Sequence, residues 1–170
     1  MLFRSREDRL NRVFVIADTH FSHKKVTEFR PFATIEEHDR ELVERWNSTV
    51  RKDDTVWHLG DVCLGGRDKL EILRGLNGIK RLVLGNHDVY PHDLYREHFT
   101  KIFGAAEWHD CILTHIPVHP YQLDTRYRLN VHGHMHSATI NGDNRYRCVS
   151  AEQIDYRPQL MREVIGRHTR

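Results

Sequence analysis

The 170-residue chain has only three cysteines, Cys63, Cys111 and Cys148, far apart and never in a C-x-x-C pair. Their scarcity argues against a disulfide framework and a cysteine-based zinc site, so a reducing, cytoplasmic setting is expected. No stretch approaches the roughly 18 apolar residues of a membrane span. The first residues, MLFRSREDRLNR, carry charges where a signal peptide needs an apolar segment, so a soluble protein without a membrane partner is expected. A one-sign charge excess is also missing. The 26 Lys and Arg nearly cancel the 24 Asp and Glu to leave +2, unlike a chain that coats polynucleotides.

Several catalytic signatures are absent as well. There is no Gly-x-x-x-x-Gly-Lys-Ser/Thr loop, Gly-x-Ser-x-Gly elbow, Gly-x-Gly-x-x-Gly turn or His-Glu-x-x-His helix. Walker-type ATP hydrolysis, serine esterase chemistry and zincin proteolysis therefore have no support. With no internal repeat and no Pro/Gly/Ser linker, residues 1–170 are expected to form one domain, too short for a TIM barrel of about 250 residues.

Histidine is what the chain has in excess. There are 14, about 8% of the residues, and histidine is the commonest protein metal ligand, so their positions need explaining. The β-branched run 13–17 reads as a first strand ending at Asp18. Thr34-x-x-Glu37 is a capping box, and Ile35, Leu42, Val43 and Trp46 then fall near one helix face, predicting a helix to about Asn47. Strands are predicted at 55–59 and 79–84, with a helix over 67–76 stopped by Asn77-Gly78 and a short one from Pro91 to about His98. This alternation predicts a largely parallel sheet covered by helices. Further strands are predicted at 111–115, 129–132, around Ile140 and at 145–149, with a hairpin-like return at 141–144 and a last helix from Pro158.

Four of these predicted strands run out at Asp, Asn or His: Asp18-Thr19-His20, Gly60-Asp61, Gly85-Asn86-His87-Asp88 and His115. The carboxyl ends of strands in open α/β sheets border the ligand crevice, so these side chains are expected to converge there. In His132-Gly133-His134-Met135-His136, an extended backbone would turn His134 and His136 the same way. Asp18, Asp61, Asn86, His20, His115, His134 and His136 make seven donors, too many for one tetrahedral ion but suited to two ions sharing a carboxylate.

In this order the five blocks resemble the calcineurin-like metallophosphoesterase superfamily. Asp18-Thr19-His20-Phe21-x-His23 and Tyr156-Arg157-Pro158 are similar to its small, single-domain bacterial and phage members, which lack a cap domain. The resemblance implies a four-layer α/β/β/α sandwich with two mixed β-sheets. It also implies that Asp18, His20 and His136 hold a first metal, Asn86, His115 and His134 a second, and that Asp61 bridges them.

Two divalent ions so held would polarise phosphoryl oxygens and generate a bridging hydroxide as nucleophile. His87, beside Asn86, is the expected proton donor to the leaving alkoxide, and Asp88 its orienting neighbour. The donor set fits Mn, the expected ion, with Fe, Zn, Co or Ni as alternatives. A phosphodiesterase is expected, with an uncapped site open to small phosphodiesters or nucleotides such as 2′,3′-cyclic ones. Phosphomonoesterase, nuclease and non-catalytic metal-binding scaffold are the alternatives. Long nucleic acid is the less favoured partner, and the oligomeric state is left open.

The other histidines have blander expectations. His132 is expected to pack at the edge of the site and His58 in the core, whereas His23 either touches substrate phosphate or orients the Asp18 loop. His38, His92, His98, His109, His119 and His168 are expected on the surface or in loops. Cys63 is expected as a small buried hydrophobe. The Arg126-Tyr127-Arg128 and Arg145-Tyr146-Arg147 runs are expected to form a solvated sheet face rather than a nucleotide clamp, and Arg162, Arg167 and Arg170 to decorate the chain end.

Overall fold

The computed structural model describes residues 12–166; His168, Arg167 and Arg170 lie outside that range. Strands β1 (Val13–Ile16), β2 (Thr55–His58), β3 (Ile79–Val83) and β4 (Lys101–Phe103) run parallel, and β9 (Gln159–Leu160) joins β1 antiparallel, giving the order β4-β3-β2-β1-β9. A second sheet has the order β5-β6-β7-β8, from Ala106–Trp108, Cys111–Thr114, Leu129–His132 and Tyr146–Cys148. Its first pair is antiparallel and the other two are parallel.

Alternation along the strands explains the layers. Phe14, Ile16, Val56 and Leu82 face helix α1 (Ile35–Thr49) and the 3-10 helix Arg67–Gly75, packing on Leu42, Trp46, Leu70 and Leu73. Their neighbours Val13, Val15, Trp57, Leu59 and Val83 turn the other way, onto Leu113, Val131 and Val149 of the second sheet. The central strand β1 is buried on both faces and so reads as a continuous apolar run, whereas β3 buries only Leu82 and Val83 at its carboxyl end. The outer cover of the second sheet is thin, with helix α3 (Tyr121–Thr125) inserting Leu123. The two shorter helices are α2 (His92–Arg96) and α4 (Met161–Val164). The result is the four-layer α/β/β/α sandwich with two mixed sheets.

Thr34 caps the helix as expected, its Oγ1 accepting from the Glu37 N–H at 3.1 Å, while Glu37 Oε2 reaches one residue beyond the cap to accept from the Ala33 N–H at 2.7 Å. Helix α1 then continues to Thr49. Residues 67–75 form a 3-10 helix in place of the expected α-helix, and Leu70, Leu73 and Leu76 bury at a spacing of three that matches three residues per turn. The extended Leu76 ends that helix, so Gly78 is not its cap. No strand forms at Ile140, and residues 141–144 make no hairpin. The chain instead returns so that β8 pairs parallel to β7. Strands β4, β5 and β9, of two or three residues each, are too short to leave a periodic signal.

The two sheets are stitched together beside the ends of β1 and β8. Ala17 and Ser150 form an isolated parallel bridge, with the Ala17 N–H donating to Val149 O at 2.9 Å and the Ala151 N–H to Ala17 O at 3.0 Å. This seam fixes the loops after strands of both sheets relative to one another.

Candidate metal centre

All seven predicted donors lie just past the carboxyl ends of parallel strands: Asp18 and His20 after β1, Asp61 after β2, Asn86 after β3, His115 after β6, and His134 and His136 after β7. Five of them, Asp18, His20, Asp61, His134 and His136, have left-handed backbones with φ of 56°, 48°, 56°, 68° and 50°. Such conformations cost on the order of 1–3 kcal/mol each and concentrate at functional sites. Two glycines let the loops meet. A Cβ at Gly85 would stand 2.2 Å from Asp61 Oδ1, and one at Gly133 would stand 2.6 Å from Asp18 Oδ2.

The structure brings the seven side chains together. Ligand atoms of Asp18, His20 and His136 fall within 4.8 Å of one another, as do those of Asp18, Asp61 and His115. Asn86 Oδ1 and His134 Nδ1 lie 2.9 and 3.2 Å from His115 Nε2. Asp61 Oδ2 stands between the two halves, 3.6 Å from His20 Nε2 and 3.4 Å from His115 Nε2, while its Oδ1 is occupied by the His87 N–H at 2.8 Å. Asp18 thus belongs to both close groups, and Asp61 lies on their common side.

Buried polar atoms without partners test whether a cation fits. Asp18 Oδ2 accepts from the Ser150 hydroxyl at 2.7 Å and from the His134 N–H at 2.8 Å, but its Oδ1 is buried with no partner. Both ring nitrogens of buried His20 are in the same condition. An unmet buried polar group costs about 1–3 kcal/mol, and a divalent cation would satisfy Asp18 Oδ1 together with His20 Nε2, which lies 3.9 Å from it. His115 gives the same indication. The Leu59 carbonyl, 2.8 Å from Nδ1, can only accept, so Nδ1 carries a proton while Nε2 faces the oxygens of Asn86 and Asp61. An imidazole nitrogen among oxygen acceptors holds either a proton or a cation. The carboxylate, amide and imidazole donors suit divalent Mn, Fe, Zn, Co or Ni.

The electrostatics follow from burial and proximity. Burial lifts the Asp18 carboxyl to about 6 and drops His20 to about 3, favouring a neutral imidazole able to ligate. Burial also works against the charge on Asp61, but hydrogen bonding and attraction from His115, the His87 N–H and His20 outweigh it and bring the carboxyl to about 2. For His115, burial is outweighed by Asp61 and Asp18, and its pKa is raised.

His87 projects from the rim as an exposed side chain, its ring 5.8 Å from that of His20. Asp88 does not serve it directly. Its Oδ2 accepts from the N–H groups of Asp61 and Gly85, both at 2.8 Å, and its Oδ1 from the Val62 N–H at 2.9 Å, so it clamps the β2 and β3 loops together. His23 lies with its ring 5.4 Å from that of His20. His132 ends β7 buried against Tyr146 and lines a separate cavity of about 560 Å³. His58 is a core residue whose Nε2 lies 2.9 Å from Thr19 Oγ1. Cys63 is buried, its thiol pushed up to about 12 by burial.

His38 departs from expectation. It is fully buried on α1, with Nε2 2.8 Å from Arg30 Nη1 and Nδ1 2.8 Å from Asp39 Oδ1. Its spacing of four from Leu42 and eight from Trp46 was the available signal. The arginines of the two Arg-Tyr-Arg runs follow the expected pattern of a solvated face: Arg126 meets Glu107, Arg128 meets Asp110, and Arg145 meets Asp143 and Asp124.

Three supporting residues carried no motif: Arg30, Ser150 and Glu152. Buried Arg30 donates to the carbonyls of Asp18 (2.7 Å) and Thr19 (3.0 Å), while Glu152 receives both Arg30 and His136. The Arg30–Glu152 and Ser150–Asp18 contacts span 122 and 132 residues of sequence, beyond the reach of any local pattern.

Comparison with known proteins bears on the family and the fold. The chain is 32% identical over 167 residues to an uncharacterised protein, MJ1445, of Methanocaldococcus jannaschii, covering 88% of this chain and 86% of that one. It is 34% identical over 167 residues to the Gene 66 protein of Mycobacterium phage L5, covering 77% and 80%. The crystal structure of AQ665 from Aquifex aeolicus, a protein of unknown function, superposes with a TM-score of 0.72 at 27% identity, covering 89% of this chain and 96% of that one. A family model described as calcineurin-like phosphoesterase matches residues 11–168. Two sheets packed face to face, with Asp, Asn and His gathered where their strands end, are thus those of a member of the calcineurin-like phosphoesterase family, to which this chain belongs.

Proposed function

We propose that this protein is a dinuclear metal-dependent phosphodiesterase acting on small phosphodiesters, with 2′,3′-cyclic nucleotides among its candidate substrates. Asp18, His20 and His136 would hold one divalent cation and Asn86, His115 and His134 the other, with Asp61 between them. The observation that carries this reading is the pair of buried, partnerless atoms Asp18 Oδ1 and His20 Nε2 lying among the remaining ligands. Cations held there supply Lewis acidity and neutralise charge on the phosphoryl group.

The chain's own residues supply the rest. Two hydrogen-bonded imidazoles, His115 on Leu59 O and His136 on Glu152, are held in one orientation before substrate arrives. His87, on the rim and tethered by its N–H to Asp61 Oδ1, donates a proton to the departing alkoxide. Asn86 and His87 are exposed at the rim of the cluster, which supports an open site able to take both arms of a diester. No helix among the described residues is long and apolar enough to cross a membrane.

The test is a Mn-supplemented screen of bis-p-nitrophenyl phosphate, p-nitrophenyl phosphate, 2′,3′- and 3′,5′-cyclic nucleotides and single-stranded nucleic acid. Preferential, chelator-sensitive turnover of the small diesters is expected. Turnover of the monoester alone, or salt-sensitive cleavage of the polymer alone, would assign the site to monoesterase or nuclease chemistry. No metal-restored turnover at all would indicate a scaffold.

A further inference from the structure

The floor of the site is ionic, and its rim mixes polar side chains such as His87 with apolar ones. Among the described residues, the exposed large hydrophobics are Phe29, Ile79, Val89, Ile116 and Tyr121, and three of these flank the donor loops. Val89 follows His87 by two residues, Ile116 follows His115 directly, and the Phe29 ring meets that of His136 edge-on at 5.8 Å between centroids. Phe29 is the largest of the three and is 58% exposed.

Its position is fixed although its face is open. Phe29 closes the 3-10 helix Lys24–Glu28, its N–H donating to Val26 O at 3.3 Å. The next residue, Arg30, is buried and pinned to the carbonyls of Asp18 and Thr19 and to Glu152. Its guanidinium also lies 6.0 Å from the centre of the Phe29 ring. The backbone that carries the ring is therefore anchored beside the donor cluster, and the ring itself rests edge-on against His136. The same short helix exposes Lys24 and Lys25 and is preceded by His23, whose ring lies 5.4 Å from that of His20. Cationic groups, an imidazole and a flat aromatic face thus stand together beside the residues that would receive a phosphoryl group.

Resting on the phosphoesterase reading above, we propose that Phe29 is a specificity-determining platform on which the base of a nucleoside phosphoester stacks, so that the site prefers nucleotides to aliphatic phosphoesters. A phosphate at the donor cluster and a base on Phe29 would be separated by the sugar that joins them. Stacking on an aromatic side chain tolerates any base, so the preference is for nucleosides as a class. The magnitude found for such contacts corresponds to about 5- to 150-fold in affinity.

The experiment measures binding of adenosine monophosphate and of glycerol phosphate to the Mn-loaded full chain by calorimetry, for the parent protein, Phe29→Ala and Phe29→Trp. We expect adenosine monophosphate to bind more tightly than glycerol phosphate. Phe29→Ala should remove about 5- to 150-fold of that advantage, leave glycerol phosphate binding unchanged and be rescued by Phe29→Trp. The unchanged glycerol phosphate affinity also shows that the variant is folded. An adenosine-to-glycerol ratio that does not move on Phe29→Ala, or is near one in the parent, overturns the platform while ester hydrolysis stands. Loss of both phosphate binding and Mn-dependent hydrolysis in the parent overturns the phosphoesterase reading and the platform with it.

Discussion

Glu152 Oε1 lies 2.9 Å from His136 Nδ1, and the same oxygen lies 2.8 Å from Arg30 Nε and 2.7 Å from Arg30 Nη2. A carboxylate can only accept, so His136 must donate from Nδ1 and turn Nε2 toward the cluster. The pair also shifts both titrations. The Glu152 hydrogen bond raises His136 despite burial, whereas burial of Glu152 is outweighed by His136 and Arg30, which bring its carboxyl to about 2.

Glu152→Ala should therefore weaken Mn binding about 10- to 100-fold and destabilise the fold, because it leaves Arg30 buried without its counter-charge. Glu152→Gln should be milder, since an amide oxygen still accepts from Nδ1. Calorimetric Mn titration and thermal melts of the two variants make the check. The ion pair stabilises the protein fully above the ordinary glutamate range near 4.5, and that contribution disappears as pH falls toward about 2. Glu152→Gln should abolish this part of the acid sensitivity.

Asp18 gives the opposite sign. Its carboxyl, lifted by burial from 3.8 to about 6, binds a proton more tightly in the folded chain than in the unfolded one. Metal-free protein should lose stability as pH rises from 3.8 through 6, by about 2–3 kcal/mol. Asp18→Asn keeps an oxygen for Ser150 and His134 while removing the charge. It should melt higher than the parent at pH 7 in chelator yet no longer be stabilised by Mn. A lower melting temperature in chelator would contradict the burial argument.

The Asp88 clamp distinguishes loop positioning from proton transfer. Three N–H groups point at its two oxygens, so Asp88→Asn forces an amide N–H against at least one of them. Asp88→Asn should lose about as much activity as Asp88→Ala, on the order of 10- to 100-fold, with weakened metal binding. Full Mn affinity in Asp88→Asn with slowed turnover would place Asp88 in the proton pathway instead.

His87 should behave as a leaving-group acid. His87→Ala should slow hydrolysis of diesters with alkoxide leaving groups by about 10²–10⁴-fold and spare p-nitrophenyl esters, whose leaving group needs little protonation. Its exposed side chain makes a folding defect an unsuitable explanation. Equal losses on both substrate types would remove the role.

The first sheet was legible because Val13–Ile16, Thr55–His58 and Ile79–Val83 each end in buried residues and lead within one residue into Asp, Gly-Asp and Gly-Asn-His-Asp. Chemistry at the ends of parallel strands leaves a local trace. What depends on distant contacts left none. The parallel return of β8 beside β7 was hidden behind a turn-rich segment that resembled a hairpin, and Arg30 and Glu152 meet only because Ala17 and Ser150 join the sheets. His38 could have been placed from its helical spacing, but a histidine among charged neighbours looks like surface until its partners Arg30 and Asp39 are known.

Anomalous diffraction recorded at the Mn edge from crystals of the intact chain grown with Mn tests the central claim most directly. Two peaks are predicted, one bounded by Asp18, His20 and His136 and one by Asn86, His115 and His134, with Asp61 reaching both. An empty cluster at saturating Mn, or Mn bound only elsewhere on the molecule, would contradict it.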